Sequence, residues 1–275
     1  MRVVIVTRIL PVLLGFHAGL TGAGHEPVAL LTLADRDGRY GGFQLDLAQV
    51  PAGLDVLVPA RRSSIAPLLR AVEPDIAVCM GFPWKVPADA LAVPPHGWIN
   101  GHPSLLPRHR GPIPVAWAIR DGDEEMGVTF HRMDAEFDTG PILAQTRFPL
   151  ELAPPEEFFG RMGQFVGQTL AAAFERLAAG EQGDPQEGGD YQTFFTADDA
   201  RLDLSRPASE VHRLVWAWRF AMAEPGSGNP RGALLDLDGE TVRVLATSLD
   251  ERDGARRVGC ADAPLWIVET EPVEA

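Results

Sequence analysis

The chain has 275 residues, of which 45% are hydrophobic and 23% charged, and its formal net charge is −14. This composition is that of a globular protein and excludes a disordered chain or a collagen-like repeat. The two cysteines, Cys79 and Cys260, form neither a zinc-ligand pair nor a disulfide framework. Residues 151–275 hold 23 acidic and 11 basic side chains, which disfavours a large nucleic-acid partner.

Residues 1–20 are rich in apolar side chains, as a signal peptide is. Arg8 and Pro11 interrupt the apolar run, and no small-residue cleavage site follows it. We therefore interpret this segment as a first strand followed by a helix, and we expect a cytoplasmic protein.

The first hundred residues alternate between short apolar runs and helical patterns. One predicted helix follows the first run and ends near Gly22 and Gly24, and a second lies around residues 64–74. The apolar runs are predicted strands: Val3–Thr7, Pro27–Leu33, Leu54–Ala60 and Asp75–Gly81. Strands that alternate with helices indicate βαβ units and a parallel sheet.

The second half of the chain continues this pattern and then changes to a β-rich one. The Gly-, Pro- and carboxylate-rich residues 181–190 mark a boundary after a long predicted helix. The predicted elements are helices at Pro114–Asp123, Glu156–Gly180 and Ser205–Phe220, strands at Met126–Met133, Pro141–Leu150 and Ala263–Thr270, and a hairpin at Gly232–Leu249 turned at Asp238-Gly239. We therefore predict a large α/β domain over residues 1–180, a linker over 181–204 and a small β-rich domain over 205–275.

A polar stretch at residues 98–111, WINGHPSLLPRHRG, follows a predicted short strand at residues 96–100. Ligands of open parallel sheets bind at the carboxyl ends of strands. Asn100 and His102 are two positions apart, so they point to the same side of an extended chain and can both hydrogen-bond one carbonyl oxygen, as in an oxyanion hole. The alternative is a loop stiffened by Pro and Gly, in which both side chains make only structural hydrogen bonds.

A catalytic imidazolium requires a nearby carboxylate, because histidine is only partly protonated at neutral pH. Asp134, Glu136 and Asp138 all lie in one predicted polar turn, and their spacing does not choose among them. A serine nucleophile is excluded, because Ser104 lacks the Gly-x-Ser-x-Gly context.

Metal and dinucleotide sites are not indicated. His96, His109 and His131 have no second ligand at helical spacing, so we interpret them as solvated or packing residues. The first strand is followed by RILPVLLG and not by Gly-x-Gly-x-x-Gly, which argues against NAD-dependent chemistry.

Residues 100–143, NGHPSLLPRHRGPIPVAWAIRDGDEEMGVTFHRMDAEFDTGPIL, resemble the signature of the folate-dependent formyltransferases. The shared order is Asn-x-His-x-Ser-Leu-Leu-Pro, then Arg-Gly, a Gly-Val-Thr strand and Asp-x-Gly, which favours Asp138 among the three carboxylates. The resemblance extends to methionyl-tRNA formyltransferases and sugar N-formyltransferases. It implies a Rossmann-like parallel-sheet formyltransferase domain followed by a small β-rich, OB-like C-terminal domain.

The same resemblance implies the chemistry. Members of the family move a formyl group from N10-formyltetrahydrofolate to an amine, and no metal is expected. Asn100 and a protonated His102 would stabilise the tetrahedral oxyanion, and Asp138 would raise the His102 pKa and relay a proton towards the departing N10. The implied residues around the pterin are Met80, Gly81, Phe82, Trp84, Leu105, Asp134, Glu136 and Phe137.

The predicted acceptor follows from departures from this pattern. Methionyl-tRNA formyltransferases carry a glycine-containing turn after the first strand and a basic insertion for tRNA, whereas this chain has TRILP and the short ADRDGRYGGFQL of residues 34–45. We therefore expect a small-molecule amine, such as a nucleotide-linked amino sugar or an amino acid. Initiator methionyl-tRNA is the alternative acceptor, and hydrolysis of the donor or folate binding without catalysis are weaker alternatives.

Two further expectations concern contacts. Arg8 is a candidate for binding an anionic acceptor, with a structural ion pair as its alternative role. Edge strands and the C-terminal hairpin offer surfaces for a homodimer, and no membrane partner is expected.

Overall fold

The computed structural model describes residues 1–34, 45–221 and 232–273. The strands are β1 (Arg2–Val6), β2 (Glu26–Leu31), β3 (Asp55–Leu57), β4 (Ile76–Cys79), β5 (Trp98–His102), β6 (Glu125–Arg132), β7 (Ile142–Pro149), β8 (Ala233–Leu237), β9 (Glu240–Ser248), β10 (Arg256–Gly259) and β11 (Pro264–Pro272). The helices are α1 (Leu10–Gly22), α2 (Ile65–Val72), α3 (Ala88–Leu91), α4 (Pro114–Asp121), α5 (Pro155–Ala178), α6 (Ala197–Ala200) and α7 (Ala208–Phe220).

Seven strands form one sheet in the order β3-β2-β1-β4-β5-β6-β7. The pairs from β3 to β5 are parallel, and β6 runs antiparallel to β5. The predicted Rossmann-like sheet is therefore confirmed in a mixed form. The strand order reverses between β1 and β4, which is the place where ligands of such sheets bind.

The core of this sheet is formed by its apolar central strands. Residues 3–6 of β1 and 76–78 of β4 are fully buried, as expected for strands with both faces covered. Val4 and Val6 of β1 pack in one cluster with Ile65 and Leu69 of α2. These strands hold the loops at their carboxyl ends on a rigid base.

The second sheet contains four strands in the order β10-β11-β9-β8, and neighbouring strands pair antiparallel. The hairpin predicted at Asp238-Gly239 is confirmed, with φ of 54° and 88° at these two residues. Both values lie in the left-handed region that a two-residue hairpin turn requires. Strand β10 was not predicted, because its sequence RRVG has no alternating apolar pattern.

The chain divides into two compact units, each built from three segments. The first unit contains residues 1–110, 127–148 and 159–190, and the second contains 111–126, 149–158 and 191–275. Residues 181–190 thus belong to the first unit, while the predicted domain boundaries at 180 and 205 stay a prediction. Within the described ranges, no helix is long and apolar enough to cross a membrane. Residues 34–45, whose short length was used to predict a small acceptor, lie largely outside the described residues.

Candidate active site

Strand β5 holds Asn100 and His102 at its carboxyl end. Asn100 pairs with Cys79 of the parallel neighbour β4, so both side chains stand next to the point where the strand order reverses. Gly101 between them lies opposite Phe130 of β6. A Cβ atom at Gly101 would lie 2.9 Å from Cζ of Phe130, so glycine is required for this close approach.

Asp138 completes the predicted group of three. It lies in the turn between β6 and β7 with φ of 58°, a left-handed conformation that Asp tolerates better than most residues. Its Oδ1 atom is 3.5 Å from Nδ2 of Asn100 and 3.6 Å from Nδ1 of His102. The structure therefore brings the three residues together.

The two competing carboxylates of this turn have other contacts. Asp134 accepts hydrogen bonds from the backbone N–H of Glu136 (3.0 Å) and from the Thr139 hydroxyl (2.8 Å), so it shapes the turn. The exposed Glu136 forms an ion pair with Lys85 at 3.3 Å. Only Asp138 of the three has a described contact with Asn100 or His102.

His131 is a part of the site that the sequence interpretation missed. It is 2% exposed and pairs with Asn100 across the antiparallel strands β5 and β6. Its Nδ1 lies 2.8 Å from the carbonyl oxygen of Arg132, which can only accept, so Nδ1 carries the proton of the neutral ring. Nε2 then accepts a hydrogen bond from Nδ2 of Asn100 at 3.2 Å and fixes the amide. Knowledge of the strand register would have identified it.

The His102 ring is oriented by the backbone. Its Nε2 lies 2.9 Å from the carbonyl oxygen of His109 and donates to it, which leaves Nδ1 facing Asp138. Burial lowers the pKa of His102 below 6.5, and this effect outweighs Asp138, which raises that pKa. The neutral ring is therefore favoured in the free protein, Asp138 acts on the pKa in the predicted direction, and a protonated His102 during the reaction stays a prediction.

The loop after β5 is pinned by polar contacts with β6 and β7. The Ser104 hydroxyl donates to the carbonyl of Arg108 at 2.7 Å, so it has a structural contact. Thr129 donates to the carbonyl of Ser104 at 2.7 Å, and Gln145 donates to that of Leu106 at 3.0 Å. These bonds hold the carboxyl end of β5 and the loop that follows it in one geometry.

The predicted pterin-binding residues lie mainly in two adjoining loops. Lys85, next to the first loop, pairs with Glu136 and lies 5.7 Å from the ring centroid of Phe137 in the second. Phe82 and Trp84 are half-buried and meet edge to face at 6.1 Å. Half-exposed aromatic rings beside loop backbone suit a flat heterocycle with many hydrogen-bonding groups.

The other residues of this predicted set support the loops. Met80 is 5% exposed, and Gly81 has φ of 70° and lies against Ile9. The side chain of Leu105 packs against Gly127, where a Cβ would lie 2.4 Å from Cδ2 of Leu105. A direct role of Met80, Gly81 and Leu105 towards the pterin stays a prediction.

Other chemistries find little support near the site. Burial, with a smaller contribution from Asp138, raises the pKa of the Cys79 thiol to about 12, so this thiol stays protonated at neutral pH. In the portion of the chain that the structure describes, no group of three His, Cys, Asp or Glu side chains is arranged to hold a metal ion.

The chain is similar to known proteins in sequence. The model of the formyl transferase family matches residues 58–158. The chain is 34% identical over 248 residues to a methionyl-tRNA formyltransferase of Rhizobium meliloti, covering 86% of this chain and 78% of that protein. It is 33% identical over 258 residues to that of Roseiflexus sp., covering 88% and 76%.

Solved structures show the same fold at lower identity. HypX from Aquifex aeolicus, in complex with tetrahydrofolic acid, gives a TM-score of 0.69 at 19% identity and covers all of this chain and 44% of its own. A sugar N-formyltransferase from Shewanella sp. gives 0.65 at 19% identity, covering 89% and 96%.

Proposed function

Because the chain belongs to the formyl transferase family and is a folate-dependent enzyme, we propose that it moves the formyl group of N10-formyltetrahydrofolate to a primary amine of a small molecule. The observation that carries this proposal is the convergence of Asn100 and His102 on Oδ1 of Asp138, at 3.5 and 3.6 Å. An amide can donate to an oxyanion, and a buried base and a carboxylate can move the protons of an acyl transfer.

The geometry supports a base role for His102 at the start of the reaction. The neutral ring carries its electron pair on Nδ1, because Nε2–H donates to the His109 carbonyl. As the amine nitrogen bonds to the formyl carbon, its proton passes to Nδ1, and the imidazolium formed is stabilised by Asp138. One N–H of the Asn100 amide stays on His131, and the other exchanges its long 3.5 Å contact with Asp138 for the developing oxyanion. One well-placed donor of this kind is worth about 3 kcal/mol.

Collapse of the tetrahedral intermediate breaks the bond between the formyl carbon and N10. The departing N10 needs one proton, and the amine has lost one. Asp138 lies next to the imidazolium, so it relays this proton from His102 to N10, directly or through water. The products are the formamide and tetrahydrofolate.

The charge distribution supports a small acceptor. The formal net charge is −14, and residues 151–275 contribute −12 of it through 11 basic and 23 acidic side chains. Binding of a polyanion is driven by release of its counterions to clustered Lys and Arg. Lys85 is the one lysine of the sequence.

Initiator methionyl-tRNA is the second candidate acceptor. It is favoured by the curated relatives described above, whose names state this activity. The chain covers more than three quarters of the length of these two proteins.

The test is release of tetrahydrofolate from N10-formyltetrahydrofolate in the presence of an acceptor. Amino-sugar nucleotides, amino acids and charged initiator tRNA are compared at equal concentrations. We expect turnover with a small amine and a formamide product in equal amount. Turnover with the tRNA alone would favour initiator methionyl-tRNA as the acceptor. Formate release at a rate that no added acceptor changes would indicate a hydrolase.

A further inference from the structure

Gln186 lies in the polar segment after α5, far in sequence from the catalytic residues, yet it contacts the turn that carries Asp138. Its Nε2 donates to the carbonyl oxygen of Asp138 at 3.0 Å and to that of Gly140 at 2.7 Å. One side-chain amide thus ties both ends of the Asp138–Gly140 turn. A partner outside the turn suits a residue held at a positive φ, since such backbone persists only where its surroundings fix it.

Gln186 is itself held by Arg110, from the RHRG end of the loop after β5. Nε and Nη2 of Arg110 donate to Oε1 of Gln186 at 3.1 and 2.8 Å, and Nη1 donates to the carbonyl oxygen of Gly189 at 3.2 Å. A guanidinium only donates and a carbonyl only accepts, so the amide orientation is fixed by its partners. The loop after β5 is therefore joined to the Asp138 turn through one side chain.

The segment around Gln186 is anchored on both sides. Asp184 and Ile142 of β7 exchange backbone hydrogen bonds of 2.7 and 2.8 Å. At the other end, Gly189 lies so close to Pro107 that a Cβ there would be 2.2 Å from the Pro107 carbonyl oxygen. The contacts that hold the Gln186 segment, at Ile142 and Pro107, thus lie outside the Asp138–Gly140 turn.

We propose that Gln186, held by Arg110, is a positioning residue that fixes the Asp138 carboxylate between Asn100 and His102. Asp134 closes the same turn from within, because it accepts hydrogen bonds from Glu136 and Thr139. Gln186 adds the contact from outside the turn, at the carbonyl groups of Asp138 and Gly140. This inference rests on the proposed role of Asp138 in formyl transfer.

The test is a double-mutant cycle of Gln186→Met with Asp138→Asn. Methionine keeps the length of the side chain and removes the amide. Alone, Gln186→Met should lower kcat about tenfold or more, with KM for the folate donor changed less than about twofold, because displacement of a catalytic group by an ångström has effects of this order. Combined with Asp138→Asn, it should cause no further loss of kcat, because the carboxylate that it positions is absent.

A second variant and a matched control separate positioning from loss of structure. Arg110→Met should lower kcat in the same way as Gln186→Met. Gln182→Met changes a glutamine of the same segment whose amide donates to the carbonyl of Gly180, at 3.4 Å, and should keep wild-type kcat. Equal losses from Gln186→Met in the presence and absence of the Asp138 carboxylate, or wild-type kcat in Gln186→Met, would overturn the inference.

Failure of the proposed function is recognised separately, because the wild-type protein then consumes no donor with any acceptor. In that case the positioning is measured by NMR titration of His102 in the free protein. Asp138, His109 and His131 are the titratable groups that act on this ring. Displacement of Asp138 removes the charge that raises the His102 pKa, so Gln186→Met should lower that pKa while Gln182→Met leaves it unchanged. An unchanged pKa in Gln186→Met would overturn the inference.

Discussion

At the scale of single residues, the site depends on one carboxylate oxygen. Nitrogen atoms of Asn100, His102 and His131 all lie within 3.7 Å of Oδ1 of Asp138. The residue is 11% exposed in its side chain, so this oxygen acts in a largely dry environment where electrostatic effects are strong. Loss of its charge should therefore affect chemistry more than binding.

The variant Asp138→Asn tests this directly. Asparagine tolerates the left-handed backbone of position 138, so the turn should keep its shape. We expect kcat to fall by about 10²- to 10⁴-fold, the usual range for loss of a proton-transfer group, with folate binding nearly unchanged. Tetrahydrofolate release and a folate binding titration measure the two effects. Asp89→Asn, which alters an exposed carboxylate of α3, serves as the control, and wild-type kcat in Asp138→Asn would remove Asp138 from the mechanism.

The protonation state of His102 gives a second prediction. Burial lowers its pKa below 6.5 and Asp138 opposes this, so the ring of the free protein is neutral at pH 7 and gains its proton only in more acidic solution. The folded protein therefore loses stability as the pH falls below 6.5, because the unfolded state binds that proton more readily. NMR titration should give a pKa below 6.5 in the wild type and a lower one in Asp138→Asn. A wild-type pKa above 6.5 would show that the charge pairing outweighs burial.

Asn100, His102 and Asp138 were recognisable because residue type and order carry the signal. His131 and Gln186 were not, because their roles follow from the antiparallel register of β6 and from the path of the segment after α5. A histidine in an apolar strand reads as a packing residue until its partner strand is known. A glutamine among Gly, Pro and carboxylates is interpreted from sequence as part of a domain boundary.

At the scale of elements, the close approach of β5 and β6 sets the positions of Asn100 and His102. The two strands meet where Gly101 faces Phe130, and the aromatic ring occupies the space that a side chain at position 101 would need. Phe130 is fully buried and also contacts Phe16 of α1, with ring centroids 5.9 Å apart. The ring therefore has little room to move away.

Gly101→Ala should consequently damage both stability and activity. The added Cβ would lie 2.9 Å from the Phe130 ring, and overpacking of this kind costs about 1–3 kcal/mol of unfolding free energy. Displacement of the flanking Asn100 and His102 should lower kcat as well. Thermal unfolding and tetrahydrofolate release measure the two effects.

A rescue and a control accompany this variant. Phe130→Leu combined with Gly101→Ala should recover part of the lost kcat, because the smaller side chain makes room. Gly15→Ala in α1, where a Cβ meets nothing within 4 Å, should keep or raise the stability. No loss of stability in Gly101→Ala would contradict the steric explanation.

At the scale of the whole molecule, charge is the property that bears most on the acceptor. The order of strands and helices in the first sheet was predictable from the alternation of apolar runs such as VVIVT with helical patterns. The antiparallel direction of β6 was not, because its buried run EMGVTFHR looks the same in either direction. Strand β10 was missed because RRVG lacks an apolar pattern. Net charge, in contrast, follows directly from the composition.

The charge predicts the salt dependence of tRNA binding. A protein that neutralises several phosphates loses affinity steeply as salt rises, with a slope of about −0.7 to −0.9 per phosphate on logarithmic axes. With a formal net charge of −14, we expect weak binding of initiator tRNA and a slope close to zero between low and moderate salt. Fluorescence titration with labelled tRNA measures both. A steep negative slope would show a local basic surface and favour the tRNA as acceptor.

The bond from His102 to residue 109 is made to the main chain, at 2.9 Å, and not to the His109 imidazole. The orientation of the His102 ring is thus set by the path of the polypeptide, with φ of 55° at position 109. Any amino acid that accepts this backbone shape supplies the same carbonyl. A replacement at position 109 that keeps this left-handed backbone should therefore preserve the orientation of the His102 ring.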